Sequence, residues 1–89
     1  MHFAAARGRT EIVELFLSKG VDVNIANQNG GTPLHRAAYM GHKDVFAVLL
    51  KNGADVTIEN KQGKTALRLA KEKKHKEVFK LLREHQSAK

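Results

Sequence analysis

Gly30-Gly31-Thr32-Pro33-Leu34-His35-Arg36-Ala37-Ala38-Tyr39-Met40-Gly41 is the stretch that decides how this chain folds. Asn29 and Gly30 make a turn, since a glycine takes positive φ without a Cβ clash. Thr32 suits a helix N-cap and Pro33 the first helical position, where its missing N–H costs nothing. The spacing predicts a short helix from Leu34 to Met40, closed by Gly41. A second helix is expected over residues 43–52. Val45, Phe46, Val48, Leu49 and Leu50 give it a broad apolar stripe, and Asp44 sits at its positive end. Gly53 stops that helix, and residues 54–58 run out to the next turn.

The same pattern recurs on both sides at an offset of 33 residues. Gly20-Val21-Asp22-Val23-Asn24-Ile25 falls on Gly53-Ala54-Asp55-Val56-Thr57-Ile58. Gly30-Gly31-Thr32-Pro33-Leu34 falls on Gly63-Lys64-Thr65-Ala66-Leu67. His2 matches His35, Gly8 matches Gly41, and Ala4 matches Ala37 and Ala70. Ile12, Val45 and Val78 share a position, as do Leu15, Val48 and Leu81. A period of this length marks a stacked array, in which each unit buries its apolar face only against its neighbours. Leu15, Phe16, Val48, Leu49, Leu81 and Leu82 are accordingly expected to be core.

The motifs Thr32-Pro33-Leu34-His35-Arg36-Ala37-Ala38, Gly41-His42, Val48-Leu49-Leu50 and Gly53-Ala54-Asp55-Val56 resemble the ankyrin-repeat family across essentially the whole chain. The resemblance implies an all-α solenoid of about three stacked helix-turn-helix repeats joined by short β-hairpin loops. A truncated first repeat is expected over 1–26, a full repeat over 27–59 and a capping repeat over 60–89. The first copy lacks the preceding hairpin and Thr-Pro helix start, and so reads as a fragment or an array entered midway. The third copy has Ala66 for Pro, Arg68 for His, Lys74 for Gly and Gln86 for Gly. These changes weaken its helix stops and give it a polar surface.

Composition narrows the function classes. The chain has 89 residues, no cysteine and a net charge of +7, so disulfides, thiolate metal sites and a cysteine nucleophile are absent. No apolar run approaches the ~20 residues of a membrane span. Met1-His2-Phe3-Ala4 has neither the basic nor the apolar region of a signal peptide. An intracellular, cytoplasmic or nuclear setting is expected. Charge is uneven: residues 1–60 balance, whereas 61–89 carry ten Lys/Arg against three Asp/Glu.

No catalytic, metal or cofactor site is expected. Ser18 and Ser87, at a helix end and in the C-terminal tail, lack a Gly-x-Ser-x-Gly turn, and Asn29-Gly30-Gly31-Thr32 is no phosphate loop. The five histidines have no metal-ligand spacing. The resemblance implies that His2 and His35 bond neighbouring hairpin backbone, and that His42 and His75 are ordinary at the starts of second helices. It also raises hydroxylation of Asn24, which some ankyrin arrays in animals carry at this hairpin position. The simpler expectation is that Asn24 stabilises its hairpin.

Partner binding is therefore the favoured function, through a concave groove of hairpin tips and first helices. Tyr39 and Met40 pair an aromatic with a flexible thioether, a composition suited to protein contact; packing of Tyr39 onto the next repeat is the other reading. Arg7 and Lys73 occupy matching first-helix ends, and Gln28, Asn29, Glu59, Lys61, Gln62 and Lys64 form the tips. The expected partner is another protein, with no small-molecule substrate. One alternative is a homodimer through an uncapped first repeat exposing Ala5, Ile12, Leu15 and Phe16. The other is nucleic-acid or acidic-surface binding by the run Lys71-Glu72-Lys73-Lys74-His75-Lys76. Against that stands a solvated cap in which Glu72, Glu77 and Glu84 pair with lysines along the helices.

Overall fold

A computed structural model of the chain describes residues 1–87. Among them are six helices and no strand: α1 His2–Ala6, α2 Thr10–Ser18, α3 Pro33–Met40, α4 Lys43–Lys51, α5 Ala66–Glu72 and α6 Lys76–Ser87. The local chemistry of the deciding stretch holds. Thr32 caps α3, its hydroxyl accepting from His35 N while His35 Nδ1 accepts from Thr32 N at 3.1 Å. Pro33 opens the helix, and Gly41 ends it in the left-handed conformation. Thr65 caps α5 with its hydroxyl alone, accepting from Arg68 N at 3.2 Å. Ser87, expected in a tail, is the last residue of α6.

The helices form two layers. α1 packs on α3 and α3 on α5; behind them α2 packs on α4 and α4 on α6. Alanines at the 33-residue repeat, Ala4, Ala37 and Ala70, are all buried and let the first helices approach closely. Val13, Val45, Phe46, Leu49, Val78 and Leu82 fill the space between layers. Burying each large side chain contributes about 1.5–3 kcal/mol.

The array departs from its sequence pattern at both ends. Leu15 and Phe16, read as core, are 55% and 37% exposed, and among the described residues no helix pair lies against the outer side of α2; Val48 and Leu81, also read as core, are only partly buried. Ala5, read as exposed on that side, is fully buried against the following pair. At the other end, α6 runs 12 residues where α2 and α4 run nine. Gly20 and Gly53 end those helices at positive φ, and Gln86, their counterpart, stays helical. α5 stops without a glycine: Lys74 itself takes φ 60°, at a cost of about 1–2 kcal/mol.

The loops are hairpin-like turns without a strand ladder. Asn27 N donates to Gly31 O and Asn60 N to Lys64 O, each at 2.9 Å. Successive loops are then joined through Lys61 N to Asn29 O at 2.9 Å and Asp55 N to Asn24 Oδ1 at 2.8 Å.

Candidate functional site

Each loop tip is shaped from within by one asparagine. Asn27 Oδ1 accepts from Asn29 N and Gly31 N at 2.9 and 3.0 Å, and Asn60 Oδ1 does the same for Gln62 N and Lys64 N. The tip is then tied to the preceding first helix by a histidine. His2 Nε2 donates to Gly31 O at 2.7 Å and His35 Nε2 to Lys64 O at 2.9 Å. The His35 proton sits on Nε2 because Nδ1 is already accepting from Thr32 N. A second pair of histidines spans the helix ends, His42 donating to Ala6 O and His75 to Tyr39 O. Tips and first helices thus form one hydrogen-bonded surface across the stack.

Between two tips and two first helices lies a cavity of about 290 Å³, lined by Asn29, Arg36, Tyr39, Lys61, Gln62 and Leu69, among others. Of the residues singled out in the sequence, Asn29, Tyr39, Lys61 and Gln62 meet here. Tyr39 is 41% exposed, and the Lys73 ammonium from the next pair sits 4.6 Å from the centre of its ring. Met40 is exposed beside it. Arg7 lies over the exposed Phe3 ring at 5.1 Å. Gln28 and Glu59 are exposed outside the cavity lining. Asn24 is spent on the neighbouring loop, accepting from Asp55 N.

Ion pairing follows the helices only in part, through Arg68 and Glu72 at i,i+4. Glu72 meets Lys64 at 2.9 Å and Arg68 at 3.2 Å, and Glu77 reaches across to Lys43 at 3.3 Å. Glu84 makes no ion pair among the described residues, and neither do Lys71, Lys74 or Lys76. Hydrogen bonds from Lys64 and then Arg68 hold the Glu72 carboxyl below its ordinary value. Arg36 and Lys61 have no acidic partner among the described residues. Also among the described residues, no group of three His, Asp or Glu could hold a metal ion, and no helix is long and apolar enough to cross a membrane.

Three residues of this surface escape the sequence reading. Arg36 has Phe3 and Leu69 at its repeat positions, so periodicity carries no sign of it. Asn27 and Asn60 stand 33 apart in equivalent places, and that register is a signal that could have found them.

Two helical layers, tips latched to first helices and a 33-residue register define a helical-repeat solenoid. The family model for ankyrin repeats in three copies matches residues 1–89, and the chain belongs to the ankyrin-repeat family, whose repeats are protein-interaction modules. It is 51% identical over 35 residues, 39% of its length, to protein phosphatase 1 regulatory subunit 12A of Mus musculus and of Rattus norvegicus. It is 56% identical over 34 residues, 38% of its length, to the probable E3 ubiquitin-protein ligase XBOS33 of Oryza sativa subsp. japonica. These matches cover 3% of the phosphatase subunits and 6% of the ligase.

Proposed function

We propose that this chain holds a partner protein along the groove of tips and first helices, and runs no chemistry of its own. One observation carries the reading: the groove backbone is locked by inter-repeat hydrogen bonds while Tyr39, Met40, Arg36 and Lys61 remain exposed on it. A surface ordered before binding loses little conformational freedom when a partner docks, so more of the contact energy appears as affinity. The binding set is Arg7, Gln28, Asn29, Tyr39, Met40, Glu59, Lys61, Gln62, Lys64 and Lys73, with Arg36 added. Similarity to a stretch of a protein phosphatase 1 regulatory subunit fits a binding module. Residues 60–89 act as its polar cap.

Affinity capture from nuclease-treated lysate tests this, comparing the parent with a Tyr39→Ala/Met40→Ala/Lys73→Ala variant of unchanged helicity. A protein enriched by the parent and lost with the variant supports the groove. Equal capture by both chains removes it.

A second reading rests on a different observation. Ile12, Leu15, Phe16 and Phe3 leave a band of apolar surface on the first helix pair, where two copies can pair. A mass that rises with concentration in light scattering, and returns to the monomer value in Leu15→Lys/Phe16→Lys, supports pairing; a strict monomer ends it. Nucleic acid is the weaker alternative, because Glu72, Glu77 and Glu84 are interspersed through the basic segment.

A further inference from the structure

We infer that the groove selects an acidic, extended segment of its partner, with carboxylates at Arg36 and Lys61 and a bulky apolar side chain against Tyr39; this rests on the groove reading above. Around the groove stand Arg7, Arg36, Lys61, Lys64, Arg68 and Lys73, against Glu59 and Glu72. Glu72 is already engaged by Lys64 and Arg68, so that acid is not free to repel an incoming carboxylate and the trio keeps one net positive charge. Lys73 and Arg7 lie over the rings of Tyr39 and Phe3 and have no acidic partner among the described residues. Arg36 and Lys61 remain, exposed, without an acidic partner among the described residues, and both line the cavity.

The cavity explains why the ligand is a peptide and not a polyanion in general. Its volume of about 290 Å³ is the size of a side-chain pocket, and Asn29 and Gln62 line it together with Tyr39. An extended main chain running past the tips finds amides to bond, two cations for carboxylates and one aromatic face. The guanidinium of Arg36 also offers a two-pronged fit to a carboxylate. The longest extent of the stack is 30 Å, which about nine residues at ~3.3 Å each would span.

Fluorescence anisotropy with a neutral-dye peptide of about nine residues, glutamate alternating with leucine and phenylalanine, tests the inference. Its glutamine and lysine twins and an oligothymidine serve as comparisons. Arg36→Glu/Lys61→Glu, Tyr39→Ala/Met40→Ala and Lys76→Gln/Lys80→Gln variants are titrated alongside the parent after their helicity is matched. The acidic peptide is expected to bind at least about tenfold more tightly than either twin, and to lose about tenfold with Arg36→Glu/Lys61→Glu and with added salt. Lys76→Gln/Lys80→Gln should leave it unchanged. If the glutamine twin binds equally well, yet is still lost with Tyr39→Ala/Met40→Ala, the acidic preference is wrong and the groove survives. If no peptide binds, or binding ignores both groove variants, the preference falls and the groove reading falls with it. Oligothymidine binding more tightly than the acidic peptide, and lost with Lys76→Gln/Lys80→Gln, would replace the inference with a nucleic-acid surface.

Discussion

Where the second helix pair faces the pair before it, Val45 and Leu49 are fully buried; at the same positions the first pair carries Ile12 and Phe16, 45% and 37% exposed. Where the second pair faces the pair after it, it carries His35, Ala38 and Gly41. The third pair carries Arg68, Lys71 and Lys74 at those positions. One end of the stack keeps the residues of an internal contact, while the other has them replaced by long cations that water solvates well. Coverage by a neighbour, and not residue type, therefore decides which positions are core. Of the two outward faces, only the C-terminal one is polar.

The sharpest way to break this comparison is truncation at matched positions. Leu49→Ala should destabilise by about 2–5 kcal/mol, whereas Phe16→Ala at the equivalent place should cost less than about 1 kcal/mol. Urea unfolding of both variants reads the difference, and equal losses would mean that α2 is covered in solution. Next in size is His35→Ala. It removes a buried acceptor for Thr32 N and a donor to Lys64 O, for about 2 kcal/mol. His2→Ala, half-buried with a single such bond, should cost about 1 kcal/mol.

An effect of similar size separates two of the left-handed helix ends, Gly41 and Lys74. A Cβ at Gly41 would lie 2.6 Å from His75 Nδ1, with φ at +76°. Gly41→Ala should therefore lose about 1–2 kcal/mol and loosen the bond from His75 to Tyr39 O. No following histidine stacks on Lys74 among the described residues, which is why a side chain fits there. Lys74→Gly should gain up to about 1 kcal/mol in the same unfolding assay.

The smallest effect is electrostatic. The Glu72 carboxyl titrates below its ordinary 4.5 in the folded chain, so the unfolded chain binds the proton more readily. Its stabilisation is complete above about 4.5 and fades as pH falls through the lowered folded value. Glu72→Gln should flatten that part of the pH–stability curve and leave neutral pH nearly unchanged, since exposed pairs contribute little.

Much of this was open to reading in the residues. Thr32-Pro33 and Gly41 bound α3 because capping and left-handed ends are set within a few residues of the chain. Tyr39, Asn29, Lys61 and Gln62 were reachable because they sit at repeat positions that face a groove. Leu15 and Phe16 were misread because a period assigns a residue to a face without saying whether a neighbour covers it. Arg36 was invisible because nothing at residues 3 or 69 resembles it. Glu72 does find Arg68 at i,i+4 spacing along its helix, but its bond to Lys64 and the bond of Glu77 to Lys43 were missed because across-loop and across-pair reach depends on three-dimensional stacking.

The most direct test of which surface docks a partner is amide chemical-shift mapping of the isotope-labelled chain, titrated with the protein recovered by affinity capture. The largest shifts are expected at Asn29, Arg36, Tyr39, Met40 and Lys61, with Ile12, Leu15 and Phe16 left in place. Shifts concentrated on Ile12, Leu15 and Phe16, with the groove amides unmoved, would contradict the groove and make the uncovered apolar end the docking surface.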